Sequence, residues 1–345
     1  MSDEEKIVEK IAIFAQDCVR KHPVIILGSG ASIAHGLKGM GELAQFLIEN
    51  IEVDYGEEGD SWLLIKTALT HGDGLEETLL KTAAPISLVR KIVHLTWQAI
   101  AEDDLALMGR AARGEERFNL SKLLQGIFKS VHMVTHIVTP NYDRVAEYAT
   151  DMAGYFHTSG FAPGIIRLRD GNSPISIRKG SDTVRTVKIW KVHGSLDWFI
   201  DSKGRIMSLP ISGKLPREFE PLIVTPGVSK YERVHDEPFR SAIQGADRAL
   251  EQAASLLCIG YGFRDRHIQP QIIERCRQRN IPILVLAHTL TEEAKSFLKN
   301  GAGQAYMALE KNGNGTRIFS PSYPEGTTIS KPDLWSFNSF NDMVL

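Results

Sequence analysis

Pro23-Val-Ile-Ile-Leu-Gly-Ser-Gly-Ala-Ser32 is an apolar run that stops at Gly-x-Gly and continues in small residues. That order describes a buried strand, a tight turn and the start of a helix. Gly28 and Gly30 carry no Cβ, so their backbone amides can approach a phosphate closely, and the helix that follows adds unpaired N–H groups and its positive dipole end. Ile33 occupies the slot of the third glycine in a dinucleotide fingerprint. A Gly-Ser-Gly can also close a buried strand for turn geometry alone, so the decision rests on what the rest of the chain brings to this turn.

Ser255-Leu-Leu-Cys-Ile-Gly-Tyr-Gly-Phe-Arg-Asp-Arg-His-Ile268 repeats the pattern, with a buried strand, a glycine pair, a polar loop and a helix through Gln278. Two such turns on one parallel sheet face the same edge, which is the geometry for gripping a dinucleotide at a switch point. Further strands are expected at His132–Val138, Val184–Val192, Pro221–Gly227 and Ile281–Ala287. Helices are expected at Glu4–Lys21, Arg144–Met152, Phe239–Ala254 and Thr291–Leu298. Between Ser61 and Val131 the periodicity is helical almost throughout, as in Trp62–Leu69, Leu75–Thr82, Leu88–Ala101 and Leu120–Val131. The fold class read from this rhythm is α/β, a Rossmann-like doubly wound parallel sheet with an inserted helical subdomain that has its own small apolar cluster. Residues 1–60 and 132–320 form the sheet domain, 61–131 the insert and 321–345 a tail. The charged run Arg110–Arg117 reads as a solvated face, and Ala31–Gly41 as a loop able to fold over a ligand. After Gln304 the pattern weakens around a turn at Lys311-Asn-Gly-Asn-Gly315. Leu334, Trp335, Phe337 and Phe340 make the tail a segment expected to dock on the body or on a partner.

The chain has 345 residues, 43% hydrophobic and 24% charged, with a formal net charge of -2. This is enough to bury a sizeable core, and it gives no electrostatic drive toward nucleic acid or an anionic membrane. Cys18, Cys258 and Cys276 stand far apart in apolar or helical stretches, as expected of buried thiols in a cytoplasmic protein. No Cys-x-x-Cys pair is present, and no metal site is expected. No apolar run approaches the roughly 18 residues needed to span a bilayer, and Ser2-Asp3-Glu4-Glu5 is unlike a signal peptide.

Chemistry-bearing residues gather at strand ends. Thr139-Pro-Asn-Tyr-Asp143 closes one strand, so Asn141 and Asp143 are cleft candidates. The alternative is that Asn141 makes a turn and Asp143 caps the next helix. Lys191-Val-His-Gly194 closes another strand, with His193 beside a glycine that removes bulk from one flank of the imidazole.

Taken together, Gly28-Ser-Gly-Ala-Ser32, Thr139-Pro-Asn-Tyr-Asp143, Lys191-Val-His-Gly194 and Gly260-Tyr-Gly262 resemble, in this order, the motifs of the sirtuin family. Within it, the chain resembles the divergent branch of bacterial antiphage systems. The resemblance implies NAD held by Gly28, Ser29, Gly30, Ala31, Ser32, Thr139, Asp143, Gly260, Tyr261 and Gly262, with Asp143 at the nicotinamide end. It implies that Asn141 and His193 carry the chemistry. The chain lacks the four-cysteine zinc module of sirtuin deacylases, and His35-Gly-Leu-Lys-Gly-Met40 stands where a Pro-Asp-Phe-Arg loop is expected. What the resemblance leaves is the machinery that breaks the nicotinamide glycosidic bond. Nicotinamide departs as a neutral pyridine, so the paired carboxylates of glycosidases are not required. The implied activity is NAD glycohydrolysis by a cytoplasmic abortive-infection effector, homo-oligomeric and paired with a HerA-type ATPase. A silent NAD-binding scaffold, a deacylase and a dehydrogenase are the alternatives.

Overall fold

The computed structural model describes residues 3–169, 177–224, 236–265 and 267–345. Thr225–Gly227 of the expected strand at 221–227 lie outside them.

Helix α1 (Asp3–Arg20) precedes β1 (Val24–Leu27), whose four residues are all buried. A strand covered on both faces reads as an unbroken apolar run, which is why Val-Ile-Ile-Leu needs no alternation. β1 lies at the middle of a nine-stranded sheet. On one side it pairs in parallel with β2 (Val134–Thr139), followed by β7 (Thr186–Lys191) and β3 (Phe156–Thr158). On the other it pairs in parallel with β11 (Leu256–Ile259), followed by β12 (Ile283–Ala287) and β13 (Tyr306–Asn312). The chain thus leaves β1 in one direction and returns on the other side, so the loops after β1, β2 and β11 meet at one sheet edge.

Alternation along the strands assigns the two faces. Ile25, Leu27, Ile137, Leu257 and Leu284 pack with the helices that follow β1, whereas Val24, Ile26, Val138, Cys258 and Val285 pack under the later helices. Those later helices are α9 (Phe239–Glu251), α10 (Gln269–Arg279) and α11 (Glu292–Asn300), with α8 (Val145–Met152) between β2 and β3. Cys18, Cys258 and Cys276 are buried free thiols, and burial pushes Cys18 up to about 12.

Between β1 and β2 run α2 (Ser29–Ile33), α3 (Met40–Asn50), α4 (Glu57–Thr70), α5 (Leu75–Lys81), α6 (Ile86–Ala112) and α7 (Asn119–Ile127). Their apolar side chains do not form a separate cluster. Trp97, Ile100 and Leu124 belong to the same core as Ile25 and Ile137. α6 is pinned to what lies below it, because Trp97 Nε1 donates to the Leu196 carbonyl at 2.7 Å. The fully buried Asp104 takes the Arg144 guanidinium at 2.6 Å and the Tyr148 hydroxyl at 2.6 Å.

One feature departs from the sequence expectation. Beyond β13, the strands β14 (Gly315–Ser320) and β15 (Tyr323–Ile329) extend the sheet antiparallel, with the expected turn between β13 and β14. The tail then docks on its own chain through α12 (Phe337–Val344), where Phe340 is fully buried and Asn341 donates to the Asn119 carbonyl at 2.8 Å. The smaller pieces are a sheet of β4 (Arg167–Leu168), β8 (Gly194–Asp201), β9 (Ile206–Ser208) and β10 (Phe219–Ile223), and a two-residue hairpin of β5 (Arg178–Lys179) and β6 (Asp182–Thr183).

His136 on β2 makes the sheet acid-sensitive. Burial, then the Lys188 charge, push it down to about 4, and Trp190 Nε1 donates to its Nδ1 at 3.0 Å. The unfolded chain binds this proton near pH 6.5 and the folded one only near pH 4, so the stability is present above pH 6.5 and is lost as pH falls toward 4. The expected loss between pH 7 and 4.5 is about 2 kcal/mol, and His136→Gln should flatten the pH dependence of urea unfolding by that amount. Equal slopes in both proteins would refute the assignment.

Candidate active site

The loops after β1, β2, β7 and β11 enclose a cavity of about 300 Å³. Gly28, Ser29, Ser32, Asn141, Asp143, His193, Tyr261 and Gly262 line it, together with Leu37, Lys38, Leu43 and Leu75 from the helical region. Residues widely separated in sequence are therefore brought to one place, and the loop before α3 covers part of it.

The two glycine turns touch each other directly. A Cβ on Gly28 would stand 2.3 Å from the Gly260 carbonyl oxygen, and one on Gly30 would stand 2.9 Å from Gly260 Cα. Gly260 itself has φ +59, and a Cβ there would meet the Ala31 amide at 2.4 Å. The amides of Gly28 and Gly30 donate to the carbonyls of Ile259 and Gly260 at 3.0 and 3.1 Å, and that of Ala31 donates to Gly28. This corrects the expectation that the Gly28 and Gly30 amides are held ready for a phosphate. Their hydrogens are taken up inside the protein, and the missing Cβ atoms serve the packing of turn on turn. Gly30, Ala31, Thr139 and Gly260 are accordingly not among the cavity-lining residues. Thr139 is structural as well, its hydroxyl donating to the Leu27 carbonyl at 2.9 Å and accepting the Asn141 amide at 3.1 Å.

Asn141 spans the cavity floor. Its Nδ2 donates to the Gly28 carbonyl at 3.0 Å and to Ser32 Oγ at 2.9 Å, and Ser32 Oγ passes its own hydrogen to Asp143 Oδ2 at 2.7 Å. Both amide hydrogens are committed to the turn, so Oδ1 is the group left to act on a ligand. Asp143 Oδ1 accepts the Val145 amide at 3.1 Å, so the helix-start role weighed for it is one that it performs. Burial raises its carboxyl above the usual range, opposed by Lys191 and the Ser32 hydroxyl. Lys191 is itself buried, 3.2 Å from Glu147 Oε1, and donates to the Asp143 carbonyl.

His193 follows β7 by two residues and is almost fully buried, with Nε2 2.9 Å from Asp265 Oδ2. The two atoms are within ion-pair distance without forming a hydrogen bond. Gly194 does not open a flank for the imidazole, as its sequence position promised. Its φ is +87, and a Cβ there would meet the Leu222 carbonyl oxygen at 2.0 Å, so the glycine exists to let β8 pair with β10. The charged run at 110–117 is also more than a solvated face. Arg110 donates to Glu116 at 2.9 Å and to the His35 carbonyl at 2.6 Å, and His35 Nδ1 lies 2.9 Å from Glu116, which staples the covering loop. Lys38 on that loop pairs with Asp103 at 2.7 Å.

Asp265 is the site residue that sequence reading missed. It was visible only as one polar position in a loop, because its partner lies 72 positions upstream. Among the described residues, no three His, Cys, Asp or Glu side chains are grouped to hold a metal ion, and no helix is long and apolar enough to cross a membrane.

Residues 135–301 match the SIR2-like domain model. That span includes Asn141, Asp143, His193 and the second glycine turn, and leaves the first turn outside. No curated protein matches the chain. Solved structures resemble it distantly. One, described as "Structural Basis for the Mechanism and Regulation of Sir2 Enzymes", is 13% identical with a TM-score of 0.45, covering 89% of this chain and 92% of that one. Another, a Sir2 homolog–NAD complex, is 15% identical with a TM-score of 0.42, covering 87% of each.

Proposed function

We propose that the chain is an NAD glycohydrolase that cleaves NAD to nicotinamide and ADP-ribose. The observation that carries this reading is the convergence of Asn141 and His193, from two different strand ends, on one cavity walled by both glycine turns. The chemistry asks for little more. The bond between the ribose anomeric carbon and the nicotinamide nitrogen breaks, its electron pair leaves with the neutral pyridine, and a water oxygen bonds to the anomeric carbon. His193 holds a ribose hydroxyl and accepts the proton that this water loses, which then passes to solvent. Asn141 Oδ1 orients the ribose or the water. Apolar Leu37, Leu43 and Leu75 restrict bulk water around the developing cation.

The biological setting follows from the resemblance of the motif set. In that reading the enzyme is an abortive-infection effector of antiphage defence, homo-oligomeric and working with a HerA-type ATPase. Such an enzyme must be restrained in the resting cell, so activity is expected to rise when the ATPase is added.

Incubation of the purified chain with NAD, with and without that ATPase, followed by chromatography, tests the reading. Nicotinamide and ADP-ribose in equal amounts are expected. NADH formation would make it a dehydrogenase. Turnover only with an acyl-lysine peptide would make it a deacylase, and no product under any condition a binding scaffold.

A further inference from the structure

We infer that Asp265 is a positioning residue for His193, fixing the tautomer in which Nε2 carries the hydrogen and Nδ1 is the basic nitrogen. The inference rests on the glycohydrolase reading for its consequence, but its geometry is independent of it. The two side chains come from opposite sides of β1, His193 from beyond β7 and Asp265 from the turn after β11. Their exposures are 8% and 5%, and Nε2 and Oδ2 are 2.9 Å apart. A buried carboxylate at that distance from a ring nitrogen favours the hydrogen on that nitrogen and leaves the lone pair on the other.

Asp265 is itself held from behind. Its Oδ1 accepts the amides of His267 at 2.8 Å and Ile268 at 2.9 Å, at the start of α10. The carboxylate is therefore anchored by the backbone of one turn while its second oxygen reaches across to a different strand end. A residue needed only to begin α10 would use Oδ1 alone. The 2.9 Å separation without a formed hydrogen bond is compatible with this role, because contacts of catalytic groups are often poorly aligned before substrate binds.

Asp265→Asn isolates this role. The amide keeps an oxygen for the two backbone amides and puts an NH₂ where Oδ2 was, so the group facing His193 becomes a donor. In ¹⁵N-histidine NMR without NAD, with the signal assigned by its loss in His193→Ala, wild type should show the hydrogen on Nε2. The Asn variant should show it on Nδ1. The kcat for NAD should fall about 10²–10⁴-fold with KM within threefold, and Asp265→Glu should recover part of the loss. An unchanged tautomer in Asp265→Asn overturns the inference whether or not the enzyme is active. If the tautomer moves but wild type leaves NAD intact, the pair stands and the glycohydrolase reading fails.

Discussion

His193→Ala is expected to lower NAD consumption by about 10²–10⁴-fold, the range over which a positioned acid–base group contributes. The imidazole sits where the β7 and β11 loops meet, and among the described residues no other histidine lines the cavity. The chain should still fold, because the side chain fills little of the core and its loss leaves the strand pairing of β7 with β2 intact. The main structural cost is the loss of the His193 contact at the buried Asp265 carboxylate, whose Oδ1 keeps the His267 and Ile268 amides. Asn141→Ala should also inactivate, with a different signature. Its Nδ2 ties Gly28 to Ser32, so the variant should lose affinity for NAD as well as turnover, whereas the loss in His193→Ala should fall chiefly on turnover, with a smaller loss of affinity from the ribose hydroxyl it holds. Product formation, KM and a melting curve for each variant check both statements. Wild-type rates in both would remove these residues from the chemistry.

How much of this was legible beforehand follows from what each feature depends on. β1, β11 and β12 were readable because a strand buried on both faces must be apolar throughout and must stop at glycine or polar residues where the sheet ends, and β2 by its β-branched residues. The cavity's location followed from that ending. Tyr306-Met-Ala-Leu-Glu-Lys-Asn312 was not readable as β13, since it has neither unbroken β-branched character nor strict alternation, and a short apolar run fits helix and strand equally. The C-terminal end of α6 was lost for a related reason. Charge at Arg110 and Arg113 looks solvated in one dimension, although Arg110 reaches the His35 carbonyl across the fold. Asp265 shows the limit most plainly, because its role is set by where β11 lies relative to β7, which no local pattern records. For the glycines the sequence leaves two readings open, because a turn pressed on a turn and a turn pressed on a phosphate require the same absent Cβ, and the turn-on-turn contact is the one present.

That distinction yields the largest stability effect. Gly28→Ala would place a methyl group 2.3 Å from the Gly260 carbonyl oxygen and 2.5 Å from Tyr261 Cα. Both are backbone atoms of a strand-end turn, so neither can swing aside as a flexible side chain would. One turn must shift, which disrupts the Gly28 and Gly30 amide bonds to Ile259 and Gly260 and opens the cavity that Tyr261 and Gly262 help to wall. The expected cost is on the order of 3 kcal/mol or more, a large share of a typical folding stability, and is read as a fall of several degrees in Tm. Gly41→Ala is the matched control, as its Cβ would meet nothing within 4 Å, and alanine favours the helix it sits in. If the glycines existed only to admit a phosphate, Gly28→Ala would leave Tm unchanged and weaken NAD binding alone. Loss of stability without any ligand present is the result that assigns them to the contact between the turns.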